Sequence, residues 1–196
     1  YLTDQAEEAI DALRKATECY RELGNRTREG ETLAALSNIL WCPGRGEEAR
    51  RTGLEAVAIL EQLPPGRELA SAYINLSFLC RQAVDTKAAR KWGHRALELA
   101  TDLDDADVLS GALITLGTLE MLAGFDSGKQ RLEGAAAFAE KNGLEKFVAD
   151  AFFGLAAGAT FRRAYDLADV YFEKGLAYCS EHGNDLMQLY FLAHRA

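Results

Sequence analysis

Small and apolar residues recur along this chain at helical spacing, in columns that return about every forty residues. Ala9, Ala49, Ala89, Gly128 and Ala168 form one column. Seven residues later stand Ala16, Ala56, Ala96, Ala135 and Gly175, with Leu13, Gly53, Gly93, Leu132 and Phe172 between. A spacing of i, i+4, i+7 puts each trio on one helix face, and the small outer residues let a neighbouring helix come close. A second helix per unit carries Leu33, Leu36 and Leu40, then Tyr73, Leu76 and Cys80, then Leu113 and Leu116, then Phe152, Leu155 and Ala159. A small residue follows its central Leu each time: Ser37, Ser77, Gly117 and Ala156.

The segments between helices keep the same register. RELGNRTREGETLAAL (21–36), EQLPPGRELASAYINL (61–76), TDLDDADVLSGALITL (101–116), EKNGLEKFVADAFFGL (140–155) and SEHGNDLMQLYFLAHR (180–195) start 40, 40, 39 and 40 residues apart. Their fourth positions are Gly24, Pro64, Asp104, Gly143 and Gly183, residues that end helices or favour turns. Pro64 and Pro65 in LPPGRELASAYINLS therefore mark a repeat boundary and not a domain linker. Each unit predicts two antiparallel helices joined by a short turn. One pair cannot bury its apolar face alone, but stacked pairs share a core.

The order of a bulky residue, Leu-Gly, then Ala, an aromatic and Ala is the hallmark of the tetratricopeptide repeat (TPR). Leu113, Leu116-Gly117 and Gly124 match one half, and Tyr165, Ala168, Phe172 and Gly175 match the other. The chain thus resembles that repeat, with a period longer than the usual 34 or so residues and without most of its terminal prolines. The resemblance implies an all-α fold, a TPR-like right-handed α-solenoid of about ten antiparallel helices with a roughly 40-residue repeat. One domain is expected over 1–196, with a lone helix at 1–24, repeats at about 25–64, 65–104, 105–143 and 144–183, and a lone helix at 184–196.

Composition narrows the function. Among 196 residues, 48% are hydrophobic and the formal net charge is −8. Lys and Arg read as scattered, so direct nucleic-acid binding by this segment is not expected, because phosphate neutralisation supplies most of that affinity. The apolar runs GAAAFA (134–139) and GLAAGA (154–159) are too short to span a bilayer, so no membrane association is expected. The charged start YLTDQAEEAIDALRK is no signal peptide and lacks an initiator Met, as expected of a fragment of a longer protein. Cys19, Cys42, Cys80 and Cys179 form no CxxC pair, which fits a reduced, cytoplasmic setting with Cys80 and Cys179 as core residues.

Three stretches imitate ligand sites and fail on detail. AGFDSGKQ (123–130) has three residues between its glycines and Gln after Lys129, against the four and the Ser or Thr of a phosphate loop. It reads as a turn capped by Asp126 or Ser127. DLDDAD (102–107) lacks the Gly and the bidentate Glu of a calcium loop. PGRG (43–46) reads as the turn within a pair. His94, His182 and His194 are far apart, and His182 shares a helix-end column with Asn142. No catalytic, cofactor or metal residues are expected, and the chain reads as no enzyme. In TPR-like arrays the first helix of each pair lines the concave face. The inward candidates are Asn38, Trp41, Phe78, Arg81, Thr118 and Met121, with Phe153 and Phe161 further along. That mixture suits a protein or peptide partner, or a small-molecule inducer. The alternative for Trp41, Met121 and the Phe residues is core. Glu120 stands where other repeats have Leu40, Cys80 and Ala159, and it is expected to pair with a donor such as Arg81.

Beyond the generic repeat, LSNILWCPGRGEEA (36–49), LPPGRELASAYINLS (63–77), WGHRALELA (92–100), ALITLGTLEMLAG (112–124), ADVYFEKGLAYCSEHGND (168–185) and LYFLAHRA (189–196) resemble the large ATP-binding LuxR-type transcriptional regulators, which share their layout with MalT. That resemblance implies a non-enzymatic ligand-sensing or protein-interaction segment between an NTPase and a helix-turn-helix domain. It would couple signal recognition to the regulator's active state. The alternative is a generic TPR scaffold or adaptor. The C-terminal LMQLYFLA (186–193) predicts an exposed apolar face and either association with another molecule, self-association included, or a folded-back terminus.

Overall fold

The computed structural model describes residues 2–124 and 126–195, with side chains from Gln5 onward. The expected helix ends at positions 1 and 196, and position 125 of AGFDSGKQ, lie outside the described residues. Among the described residues there are ten α-helices and no strand. They are α1 (Leu2–Glu22), α2 (Arg26–Trp41), α3 (Gly46–Leu60), α4 (Arg67–Gln82), α5 (Thr86–Asp102), α6 (Ala106–Leu122), α7 (Asp126–Lys141), α8 (Glu145–Phe161), α9 (Tyr165–Glu181) and α10 (Asp185–Arg195). The chain divides into two compact units, Tyr1–Asp105 and Ala106–Ala196.

In the first unit each helix packs on the next, and α2 also packs on α4. In the second, α6 to α10 do the same, with α6 on α8 and α8 on α10. The small-residue columns make this packing close. A Cβ on Gly53 would meet the Leu76 side chain at 2.9 Å, and one on Gly175 would meet the Phe191 ring at 2.1 Å. Ser37, Ser77, Gly117 and Ala156 are all buried. The Ser77 hydroxyl donates to the Ala89 carbonyl at 2.7 Å, so a small polar residue ties α4 to α5 without a large side chain between them. The second unit's core gathers Met121, Leu132, Leu155, Tyr171, Phe172, Cys179 and Phe191.

The turns follow one rule with one exception. Gly24, Gly143 and Gly183 between pairs, and Gly44 and Gly124 within pairs, have positive φ. Asp104, Val84 and Arg163 take the same left-handed conformation without being glycine. Proline cannot adopt it. At LPPG the left-handed turn gives way to a six-residue link, 61–66, ending on Gly66 in an extended conformation. Side chains finish several helices. Asn25 and Asp85 accept from the backbone N–H of Arg28 and Ala88 at 3.2 and 3.0 Å. Asn142 donates to the Phe138 carbonyl at 2.8 Å, and His182 Nδ1 lies 2.9 Å from the Tyr178 carbonyl. These are the helix-end roles expected of that column.

Candidate functional site

In the first unit α2 and α4 pack on one another, and a groove opens along the two helices. Glu31, Ala34, Ala35 and Asn38 line it from α2, and Arg67, Glu68, Ser71 and Asn75 from α4, around about 240 Å³ of open space. Asn75 holds the two walls together, donating to the Ala34 carbonyl at 3.1 Å and to Ser37 Oγ. Asn38 is exposed and makes no hydrogen bond within the described residues that would occupy its amide. Toward the C-terminal ends of α2 and α4 the chemistry becomes aromatic. The Trp41 and Phe78 rings meet edge to face at 6.3 Å, and the Arg81 guanidinium lies over the Phe78 ring at 5.2 Å. Trp41, Phe78 and Arg81 are half-buried, and burial pulls the Arg81 pKa below its usual value.

Thr118 and Met121 belong to α6 in the second unit and do packing work there. A Cβ on Gly154 would meet Thr118 Oγ1 at 2.9 Å. Met121 is 1% exposed. Its side chain fills the space left by Gly158 of α8, and its backbone nitrogen lies close to Gly128 of α7, so it is a core residue. Phe153 is half-buried in a cluster with Phe191 and His194, ring centroids 5.5 and 4.8 Å away, while Phe161 is exposed. The expected ion pair of Glu120 exists with a different donor. Arg131 of α7 holds both Glu120 oxygens, at 3.0 and 3.1 Å, because α7 is the helix that covers this face of α6.

Three polar features escaped the sequence reading. Glu29 is 1% exposed, with its carboxylate held by Arg21 at 2.8 Å and Arg26 at 2.7 Å. Glu61 accepts from the Tyr73 hydroxyl at 2.9 Å and pairs with Arg95 at 2.7 Å, while Arg95 also lies over the Tyr73 and Trp92 rings. Burial, and then the bond to Glu61, push the Tyr73 pKa up to about 12. Third, Lys87, Arg90, Lys91 and His94 share one face of α5, so the basic residues are less scattered than composition implied. Their i, i+3, i+4, i+7 spacing was the available signal.

No group of three metal-binding side chains occurs among the described residues. AGFDSGKQ, DLDDAD and PGRG all lie at turns, with Gly124, Asp104 and Gly44 at positive φ. Cys80 and Cys179 are buried free thiols whose pKa burial raises, while Cys19 and Cys42 are exposed. No described helix is long and apolar enough to cross a membrane.

No protein-family model and no curated protein matches this chain. Solved structures do. A Rap protein complexed with competence and sporulation factor is similar over 96% of this chain and 53% of its own, at 18% identity and a TM-score of 0.82. Aspartyl phosphate phosphatase F from Bacillus subtilis is similar over 95% and 52%, at 14% identity and a TM-score of 0.74. BtubC (BKLC) from P. vanneervenii is similar over 90% and 74%, at 18% identity and a TM-score of 0.71. The chain spans about half the length of the first two. At these identities the likeness shows the fold, a TPR-like helical repeat.

Proposed function

We propose that this chain is a non-enzymatic TPR-like scaffold that binds a protein or peptide partner in the α2–α4 groove. The observation that carries this reading is a polar groove and an aromatic–Arg cluster on the same two helices. Asn38, Glu68 and Ser71 line the groove, and the Trp41–Phe78–Arg81 cluster stands nearer the C-terminal ends of α2 and α4. Aromatic side chains anchor partners well because they offer large, rigid contact areas, Arg adds a planar charged group that stacks on them, and polar groups beside them select backbone or side-chain donors. The Rap structure complexed with competence and sporulation factor supports a binding role by likeness of fold.

The finer reading, the sensor segment of a LuxR-type ATP-binding regulator in the cytoplasm, rests on the stretches quoted above. Flanking NTPase and helix-turn-helix sequences in the full-length gene would agree with it. The unbroken forty-residue register supports reading 1–196 as one repeat domain, for which a single calorimetric transition is expected.

The groove is tested with a displayed peptide library selected on the intact chain. Selected peptides should lose binding to Trp41→Ala and Asn38→Ala chains that keep their melting temperature. Equal binding to both variants overturns the groove as the site.

A further inference from the structure

On α5, Lys87, Arg90, Lys91 and His94 line about 540 Å³ of open space together with Thr86. Lys87, Lys91 and His94 are exposed and Arg90 is half-buried. Like charges three and four residues apart repel, and cations near the start of a helix oppose its dipole. The chain supplies little to offset this. α5 has no acid in its first turn, and its first acid is Glu98. The carboxylate of its cap Asp85 already accepts from the Ala88 N–H. Among the described residues no ion pair or hydrogen bond engages the side chains of Lys87 or His94, and Lys91 lies over the Trp92 ring at 5.4 Å.

The register marks this face as a departure. The positions of Lys87 and His94 hold Glu47 and Leu54 on α3, Asp126 and Glu133 on α7, and Asp166 and Glu173 on α9. Each of those helices therefore carries a carboxylate where α5 carries none.

The layout of the charge selects the occupant. The four side chains span about 10 Å of helix. A second helix laid alongside presents up to four side chains over that length, at the same i, i+3, i+4, i+7 spacing. An extended segment turns alternate side chains away and offers about two. Nucleic acid gains affinity from many phosphate contacts, and one short basic stripe on a chain of net charge −8 offers few. The chain's own second helices do not match either. Arg50 sits 3.4 Å from Glu47 on α3, and Lys129 sits 2.9 Å from Glu133 on α7. On α9, Arg195 lies 3.4 Å from both Asp169 and Glu173.

We propose that the Lys87–His94 face of α5 docks an acidic helix of a partner protein, with carboxylates at i, i+3, i+4 and i+7 and no Lys or Arg among them. The site is separate from the α2–α4 groove, and either can fail alone.

The test uses the intact chain and, as probe, a dye-labelled, capped, Ala-rich helical peptide with Glu at that spacing. Fluorescence anisotropy is expected to give a Kd of about 1 mM or below at low salt, weakening as salt rises. The chain with Lys87→Gln and Lys91→Gln should bind about fivefold more weakly, as loss of two exposed ion pairs implies. Lys15→Gln with Arg51→Gln removes the same charge from α1 and α3 and should bind like the parent. A peptide with its Glu residues spread around the helix should also bind about fivefold more weakly. Asn38→Ala should leave binding unchanged, which separates this site from the groove. Four results overturn the proposal: a Gln or spread-Glu peptide that binds as tightly as the striped one, equal losses in the two charge-matched chains, tighter binding of a short DNA duplex, or a concentration-dependent dimer abolished by Lys87→Gln with Lys91→Gln.

Discussion

Gly128 offers a sharp test of how the close helix packing arises. Its column reads Ala9, Ala49, Ala89 and Ala168 elsewhere, so Gly128→Ala looks harmless by pattern and favourable by helix propensity, worth about 1 kcal/mol. In the structure a Cβ on Gly128 would lie 2.2 Å from the Met121 backbone nitrogen, 2.8 Å from the Glu120 carbonyl carbon and 2.8 Å from the Gly117 carbonyl oxygen. These are backbone atoms of α6 and cannot rotate away. An ordinary contact begins near 3.4 Å, so α6 and α7 would have to part by about 1.2 Å. That separation also loosens Met121 and the Glu120–Arg131 pair. Overpacking of this kind costs up to about 3 kcal/mol, which leaves a net loss of about 2 kcal/mol after the propensity gain. Gly134 lies on the same helix with nothing within 4 Å of its added Cβ. Gly134→Ala should therefore stabilise by about 1 kcal/mol. Urea unfolding followed by far-UV circular dichroism gives both values, and the two variants should differ by about 3 kcal/mol. A Gly128→Ala chain as stable as the parent, with Gly134→Ala unchanged or lower, would refute the backbone-contact argument.

Three further outcomes follow from single sites. Val84 has a φ of 61° and an exposed side chain, so Val84→Gly should raise the urea midpoint by about 1 kcal/mol of stability, and a loss would contradict the strain. Tyr73 has its pKa raised to about 12 in the folded chain, against 10.0 when free. Its contribution is complete below pH 10 and is lost as pH rises from 10 to 12. Tyr73→Phe should therefore lower stability by about 1 kcal/mol at pH 8 and show a shallower decline between pH 10 and 11.5 than the parent, and parallel declines would count against the Glu61 bond. Glu29→Ala removes a buried carboxylate from two arginines that can re-enter solvent. It should cost about 2 kcal/mol in the same assay, and a change below about 0.5 kcal/mol would place the network at the surface.

Much of this molecule was written in its periodicity. Helix positions, turn slots and the roles of Asn142 and His182 could be read directly, because local sequence sets where a helix starts, stops and turns its small face. Asn38, Trp41, Phe78 and Arg81 were also legible as members of α2 and α4, since equal register puts equal positions on equal faces. Met121 stood between groove and core in the sequence, because a column gives direction and not distance. Only the approach of α7 and α8 at Gly128 and Gly158 turned that position into core. The same limit explains Glu120, whose partner was fixed by which neighbouring helix covers it, and Glu29, whose burial depends on arginines from two helices. The sequence alone determined the repeat, its period and the small-residue stripes, because those depend on residues within one helix. Tertiary structure decided which small residues must be glycine and which charges are paired. Those depend on distances between helices, which no single segment encodes.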